Sequence, residues 1–494
     1  LSGTTTGLYA EIPERVRITY YISTFLRDKH PGPAAIEDFL REIASASRGR
    51  ITTRSVDPTK NPAEAESYGV APQQMQIVEQ SEQRVALVYT GIVVEYLDRY
   101  KTLPAIISTE TLEYEIVKAI RAVVNDRIPV AGLLIGDDDK TLENDYRTLA
   151  GALSLAGYRT RQTARGQAVD DDVSVLFVIG NAAMDRYDAY FVDQYLMRGG
   201  RAFFAVKGVE VNPDYGLAAT PVAAGGMLSV LSAYGIDVRR ELVLDQSNLS
   251  IPFQTQGPTG GVAINYIRYP HWIALDARFA NPDNPVTARF GGLDLFWPSP
   301  MTTRSIDGVS IDELIKTTPR AWKQTKDFAA GPDDVRLYDL ERAQTEGQYL
   351  VAVAVAGTLP SAFANGDLPA REGAPLVPAP RARSEDTRIV VVSSGDFLTD
   401  LMKMSDSGFN ASFAVSAADW LGSDGDLVAI RSRATQDLRL NRIKDEGIRA
   451  FLKSATYAVN LFLVPLVVIA AGVLRSRKRS RREKEARSLA GGEA

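Results

Sequence analysis

Three consecutive aspartates in this 494-residue chain have a type and a spacing that could do chemistry. Asp137, Asp138 and Asp139 directly follow an apolar run at 128–136, which is typical of a parallel strand covered on both faces. α/β folds hold ligands at the carboxyl ends of such strands, where grouped carboxylates could bind a hard cation. A solvated loop whose last acid caps the next helix accounts for the same residues. Both interpretations stay open.

Two adjacent serines raise a similar question, because Ser393 and Ser394 end a second apolar run. A serine becomes a nucleophile only beside a general base, and with none nearby we expect turn and cap roles. His30 and His271, the two histidines of the chain, fall in different predicted domains, so we expect structural roles for both. The alternative ligand site therefore consists of Asp137 to Asp139 with the two serines.

Composition excludes several classes of site. The chain has no cysteine, so it has neither disulfides, nor a thiol nucleophile, nor a thiolate metal site. It lacks a phosphate-binding loop of the P-loop type and a G-x-S-x-G nucleophile elbow. The last twenty residues hold eight basic and three acidic side chains, so the remainder of this −5 chain carries about −10. Such a body is a poor nucleic-acid binder, and we expect no catalytic residue, cofactor or metal.

Residues 1–107 alternate strand and helix patterns. The patterns predict strands at 15–23 and 50–58, helices at 32–47 and 61–70, and a two-stranded hairpin at 73–97. This order predicts a thioredoxin-like α/β domain without the cysteines of a redox site. A connecting helix is expected at 108–127.

Residues 128–432 predict a second α/β domain. Strand and helix patterns alternate from 128 to 206, which favours a doubly wound parallel sheet. A region rich in proline, glycine and aromatic residues, 246–345, is predicted to be an insertion of loops and short strands. The segment 358–387 is predicted to be flexible from its proline, alanine and charge content.

The end of the chain predicts a membrane anchor. Residues 455–474 form an apolar run of twenty residues, which as a helix matches a hydrocarbon core of about 30 Å. The tail 475–494 is basic, and short basic segments stay in the cytoplasm. We therefore expect the cytoplasmic (inner) membrane, with the bulk of the chain extracytoplasmic or periplasmic and an export signal or first span upstream of Leu1.

Partner and membrane contacts are expected around this span. Asn460 supplies a buried amide and Pro465 a kink, both of which favour packing against a neighbouring helix. The segment 433–454 predicts an amphipathic juxtamembrane helix whose apolar face includes Phe451 and Leu452. The basic contacts with the membrane surface are Arg475, Arg477, Lys478 and Arg479.

These elements together resemble a known family. The segments of this chain that carry the resemblance are "IEDFLREIASASRGRITTRSVDP", "DDVSVLFVIGNAAMDRYDAYFVDQYLMRGGRAFFAV", "RYPHWIAL", "NPVTARFGGLDLFWPSPM" and "RIVVVSSGDFLTD", followed by the final span and basic tail. In this order they are similar to the GldG-type auxiliary subunits of ABC transport systems, a family first linked to gliding motility.

The resemblance implies a first span, a large extracytoplasmic body, a final span, and partnership with a multi-span permease and a cytoplasmic ATPase. It also implies that the second α/β domain is similar to a class I glutamine amidotransferase without the catalytic cysteine. Many members carry a Gly-His-Gly-Glu-like turn where this chain reads IGDDDKT, so a role for that histidine does not transfer.

Three hypotheses about function follow. The first is a non-catalytic accessory subunit of an ABC transporter, which binds an envelope glycan, lipid or protein and couples it to the permease. The second is a membrane-anchored hydrolase or transferase that uses the carboxyl end of the second sheet. The third is a structural envelope tether.

Overall fold

The fold is described from a computed structural model. It describes Tyr9 and residues 12–79, 82–109, 112–124, 128–213, 216–256, 262–288, 290–331, 341–405 and 407–422. Within these ranges no helix has both the length and the apolar character needed to cross a bilayer. The predicted juxtamembrane helix, span and basic tail lie outside the described residues, so they stay predictions.

The N-terminal region contains six strands and three helices among its described residues. The strands are β1 (Val16–Ile22), β2 (Ile51–Val56), β3 (Gln73–Glu79), β4 (Glu82–Val88), β5 (Thr90–Tyr96) and β6 (Arg99–Pro104). The helices are α1 (Thr24–Lys29), α2 (Pro31–Ala46) and α3 (Pro62–Ser67). Helix α2 buries Ile36, Leu40 and Ile43 as its apolar spacing predicts, and His30 caps it by accepting the N–H of Gly32.

Four of these strands form a sheet in the order β2–β1–β5–β6. β1 is parallel to β2 and antiparallel to β5, which pairs antiparallel with β6. The hairpin predicted at 73–97 is present, because β3 pairs antiparallel with β4 up to Glu79 and Glu82. The predicted number of strands is wrong, since the segment also contains a third strand, β5, which pairs with β1 and β6. β5 is almost entirely buried and takes a central place, whereas the glutamine-rich β3 pairs with β4 in a separate hairpin.

The connecting helix α4 (Leu112–Val124) packs on this sheet. It buries Ile116, Val117 and Ile120 in the same core as β1 and β5. On another face, the Lys118 ammonium lies 2.7 Å from a carboxylate oxygen of Asp419, which belongs to the C-terminal helix of the second region. The helix therefore contacts both regions.

The second region is built from the remaining strands and helices. The strands are β7 (Val130–Ile135), β8 (Arg159–Thr163), β9 (Val173–Ile179), β10 (Ala202–Ala205), β11 (Val209–Asn212), β12 (Ala218–Pro221), β13 (Ile236–Val238), β14 (Leu242–Asp245), β15 (Asn248–Gln256), β16 (Val262–Asp276), β17 (Gly292–Phe296), β18 (Met301–Thr303), β19 (Val309–Lys316), β20 (Ala321–Gln324), β21 (Leu350–Pro360) and β22 (Arg383–Val392). The helices are α5 (Leu142–Asp145), α6 (Arg147–Leu155), α7 (Arg186–Met197), α8 (Met227–Ala233) and α9 (Phe409–Gly422).

The main sheet has nine strands within the described residues. Its order is β13–β18–β21–β22–β10–β9–β7–β8, and β19 also pairs with β21. The section β8–β7–β9–β10–β22 is parallel, as the alternation of strands and helices predicts. The other pairs are antiparallel, so the expectation of a purely parallel sheet is corrected to a mixed one. β21 leads into β22 without the crossover helix that parallel pairing requires.

The predicted insertion at 246–345 contains strands, as expected, and they join several sheets. It supplies β18 and β19 to the main sheet and forms a three-stranded sheet, β15–β16–β17. Trp272, Trp297 and Trp322 are buried in the core that covers one face of the main sheet. Short strands were predicted here, but the sequence did not identify the partners of β18 and β19, which are distant along the chain.

The segment predicted to be flexible, 358–387, includes the end of β21 and the start of β22. Between them, main-chain oxygens of Pro375 and Pro378 accept hydrogen bonds from the hydroxyls of Tyr187 and Tyr190 on α7. The chain therefore follows a defined path along that helix.

Asp419 provides a test of the contact between α4 and α9. Its carboxylate accepts two hydrogen bonds from Lys118 and one each from the hydroxyls of Tyr114 and Tyr158. We expect Asp419→Ala to lower the free energy of unfolding by about 2 kcal/mol in urea denaturation, because charged hydrogen bonds are lost. The exposed Asp283→Ala is the control, and equal effects of the two variants would contradict the assigned role.

Candidate functional site

Four parallel strands bring polar residues together at one edge of the main sheet. β7, β9 and β10 lead into Asp137, Asn181 and Lys207, and β22 leads into the turn that contains Asp396. Parallel strands present their carboxyl ends at the same edge, so these residues converge where α/β folds hold ligands. This is the place that the sequence predicted for an alternative ligand site.

Lys207 is the centre of this group and is 1% exposed. Its ammonium nitrogen lies 2.9 Å from Asp137 Oδ2, 2.7 Å from Glu210 Oε2 and 3.2 Å from Asp396 Oδ2. Asp137 and Asp396 are each 4% exposed. We call Lys207, Asp137, Asp396 and Glu210 the lysine cluster. Its ammonium group takes the place that a cation would occupy between the carboxylates.

The opposite charges of the lysine cluster stabilise the ionised forms of Lys207 and Asp137. Burial alone would lower the pKa of Lys207, but the carboxylates of Asp396, Asp137 and Glu210 outweigh it and hold that pKa well above its ordinary value. Burial alone would raise the pKa of Asp137, and the ammonium of Lys207 lowers it below its ordinary value. Lys207 is therefore protonated and has no lone pair with which to act as a nucleophile or form a Schiff base.

Main-chain groups fix the position of the lysine cluster. The N–H of Ala182 donates to Asp137 Oδ1 at 2.9 Å, and the amide of Asn181 exchanges two hydrogen bonds with the main chain of Lys207. Gly180 has a φ of +75°, and a Cβ there would lie 2.3 Å from the Asp137 carboxylate. Glycine is therefore required by both its conformation and the close approach of the side chain.

The three predicted aspartates have different surroundings. Asp137 is in the lysine cluster, whereas Asp138 is 74% exposed and pairs with Arg165. Asp139 lies 3.1 Å from Lys140, whose ammonium is also 3.6 Å from Asp396. Among the residues that the structure describes, no group of histidine and acidic side chains is arranged to hold a metal ion.

The two predicted serines are fully buried beside this edge. Ser393 Oγ donates to the main-chain oxygen of Val351 at 3.2 Å, and Ser394 Oγ donates to that of Phe296 at 2.7 Å. Both hydroxyl protons therefore bind neighbouring strands. His271 lies on β16, is also buried, and is 3.5 Å from Gln324 Oε1.

The N-terminus of α7 opens at the same edge of the sheet. In many doubly wound folds a helix N-terminus binds a phosphate. Here the Asp185 carboxylate accepts hydrogen bonds from the N–H groups of Tyr187 and Asp188. The guanidinium of Arg371 forms ion pairs with the carboxylates of Asp185 and Asp188. The protein's own carboxylate therefore occupies the position of an anionic ligand.

Sequence reasoning missed Lys207, Glu210 and Asp396. A signal was present, since Lys207 interrupts the apolar run RAFFAVKGVEV. A lysine between apolar residues at a strand end needs buried acidic partners. The sequence does not identify those partners, since Asp396 lies 189 residues away.

Removal of the lysine charge should destabilise the fold strongly. Lys207→Met would leave Asp137 and Asp396 buried without their cation, and we expect a loss of about 3–5 kcal/mol in the free energy of unfolding. Urea denaturation measures it, with the exposed Lys326→Met as a matched control. Adding Asp137→Asn and Asp396→Asn should restore part of the loss, and a harmless Lys207→Met would contradict the structural role.

Glu210 should give stability a dependence on pH. Burial, followed by the carboxylates of Asp396 and Asp137, raises the pKa of Glu210 to about 6 from 4.5, although Lys207 opposes the rise. The folded protein then binds this proton more tightly than the unfolded chain, so this group's contribution to stability falls as pH rises through this interval.

We expect Glu210→Gln to become more stable relative to the wild type as pH rises from about 4.5 to 6. The measurement is urea denaturation of both proteins at several pH values, with the exposed Glu143→Gln as the control. A difference between Glu210→Gln and wild type that stays constant with pH would refute the expectation.

Comparison with known proteins identifies the family to which the chain belongs. Residues 129–422 match a family model described as an ABC-type uncharacterized transport system, and residues 1–95 match a domain of unknown function. An uncharacterized protein of Borreliella burgdorferi is 22% identical over 491 residues, which cover 97% of this chain and 91% of that protein.

Among solved structures, a beta-galactosidase from Rahnella sp. R3 aligns at 12% identity with a TM-score of 0.24. The alignment covers 62% of this chain and 33% of the beta-galactosidase, and a likeness this weak carries no argument. The transport-system match, in contrast, covers more than half of the chain. The protein therefore belongs to the auxiliary family of ABC-type uncharacterized transport systems.

Proposed function

We propose that the chain is a non-catalytic, membrane-anchored accessory subunit of an ABC transporter. Family membership, which supports an accessory role in such a system, is the observation that carries this proposal. The extracytoplasmic body would bind an envelope glycan, lipid or protein. The juxtamembrane helix and the spans would couple that state to a multi-span permease, and a cytoplasmic ATPase would supply the energy.

The non-catalytic part of the proposal is supported by the lysine cluster. At the edge of the sheet where an enzyme of this fold class would hold its substrate, Lys207 is an ammonium paired with Asp137 and Asp396. The hydroxyls of Ser393 and Ser394 donate to main-chain oxygens. The alternative of a hydrolase or transferase would require these groups to exchange their present partners for a substrate.

We also propose the finer fold and family assignments. The strand order β2–β1–β5–β6, with a parallel pair extended by two antiparallel strands, supports a thioredoxin-like first domain. The parallel section β8–β7–β9–β10–β22 supports an amidotransferase-like second domain without a cysteine nucleophile. GldG-type membership rests on the order of the sequence segments.

The membrane anchor rests on sequence alone. The apolar run 455–474 is long enough to span a bilayer, and the basic tail after it favours a cytoplasmic location. Phe451 and Leu452 on the amphipathic segment would contact the outer leaflet or the permease. The alternative of a structural envelope tether differs from this proposal in that the chain has no ATPase partner.

Purification of the full-length protein in nanodiscs, followed by mass spectrometry, tests the proposed function. We expect a permease and an ATPase in stoichiometric amounts with the chain. Recovery of the chain alone, also after crosslinking, would refute the accessory role and favour the tether or the enzyme. Alanine at Asp138 and Asp139 separates these two, because an enzyme that uses them would lose its function while remaining folded.

Asn460 offers a sharper test of the proposed span packing. We expect Asn460→Leu to reduce the copurified permease severalfold, because an amide in a membrane helix gains a hydrogen bond from a neighbouring helix. The adjacent Val459→Leu is the matched control, since it changes shape without a polar group. Equal permease yields from both variants would show that Asn460 makes no such contact.

A further inference from the structure

A second site lies apart from the lysine cluster. A cleft of about 600 Å³ opens where β18, β19 and β21 of the main sheet approach β20 and the segment between β13 and β14. This volume lies within the usual range of small-molecule sites. None of the residues that line it belongs to the lysine cluster, so the cleft is a separate feature of the fold.

The cleft combines an apolar base with polar walls. Met301 and Leu350 line it and are 4% and 7% exposed, respectively. Thr302 and Gln348 are exposed residues of the lining. Thr302 contributes a hydroxyl, and Gln348 contributes its amide oxygen, since its amide nitrogen donates to the main-chain oxygen of Thr317 at 2.8 Å. An apolar surface with a few convergent polar groups is typical of sites that orient a small ligand.

The charges in the cleft do not balance. Lys323 lies 2.7 Å from Glu241, and Lys316 lies 2.6 Å from Glu313, so four lining residues form two ion pairs. Arg239 is the third cation. Its guanidinium donates to Thr302 Oγ1 at 3.3 Å and forms no ion pair with any residue that the structure describes. The lining thus carries one net positive charge, centred on a group that can bind an anion through two parallel hydrogen bonds.

An irregularity in β19 helps to shape this cleft. The pairing of β19 with β21 shifts between Glu313 and Ile315 and again between Ile315 and Lys316. Bulges of this kind redirect side chains and are frequent next to binding sites. Here the two residues at the ends of the irregular stretch, Glu313 and Lys316, both line the cleft.

We propose that the cleft binds an anionic sugar, which carries a carboxylate or a phosphate. Arg239 pairs with the anionic group, and the carboxylates of Glu241 and Glu313 accept hydrogen bonds from the ligand's hydroxyls. Met301 and Leu350 contact the apolar face of the sugar ring. This assignment does not depend on a transporter partner, since binding is a property of the chain itself.

The test is isothermal titration of the full-length protein in detergent with glucuronate, glucose 6-phosphate, glucose and inorganic phosphate. We expect saturable binding of at least one of the two anionic sugars, and binding at least tenfold weaker for glucose and for phosphate. Arg239→Gln should lower the affinity for the sugar about tenfold or more, because a charged hydrogen bond is lost. Arg240→Gln is the matched control, since this exposed neighbour does not line the cleft.

Three results would overturn the proposal. They are the absence of saturable binding for both anionic sugars, equal binding by the wild type and Arg239→Gln, and binding of phosphate as tight as that of the sugars. Copurification of a permease and an ATPase is measured separately on the wild type and on Arg239→Gln. Failure of the cleft is thereby distinguished from failure of the proposed function.

Discussion

A lysine side chain with 1% exposure keeps its charge in a protein interior only when acids surround it, and Lys207 has three. Removing an ammonium group from water costs several kcal/mol, which close carboxylates and hydrogen bonds offset. Asp137 and Asp396 come from the ends of β7 and β22, so the interaction also fixes the relative positions of strands that are far apart in sequence. The edge of the sheet depends on this pairing.

That constraint determines what occupies the edge of the sheet. The position between the carboxylates holds an ammonium group, and the nearby N-terminus of α7 is capped by Asp185. The cleft beside Arg239 and Lys323 lies elsewhere, among strands of the antiparallel part of the sheet. In the function that we propose, a ligand binds in the separate cleft rather than at this edge.

The connecting helix α4 contacts both described regions. It shares a core with the N-terminal sheet, and Lys118 pairs with Asp419 near the end of α9. The chain continues from α9 toward the predicted juxtamembrane segment. An ion pair that two tyrosine hydroxyls also contact therefore joins α4 to the last described helix.

Sequence patterns predicted the strands and helices that are defined by the residues of one continuous segment. The continuous apolar run at 128–136 predicted β7, and the apolar spacing at 32–47 predicted α2, both close to the observed bounds. The antiparallel half of the sheet depends on pairings between distant segments, such as β13 with β18, which no local pattern reveals. For the candidate site, Asp137 was found because it follows an apolar strand, but Lys207 and Asp396 were missed because they meet only in the folded chain.

The most direct measurement is the rate at which acetic anhydride modifies each lysine of the native full-length protein, followed by mass spectrometry. An amine reacts only when it is deprotonated and accessible, so Lys207 should remain unmodified while the exposed Lys326 reacts. After denaturation in urea both should react at similar rates. Rapid modification of native Lys207 would contradict the central claim that this edge of the sheet is sealed by a buried ion cluster.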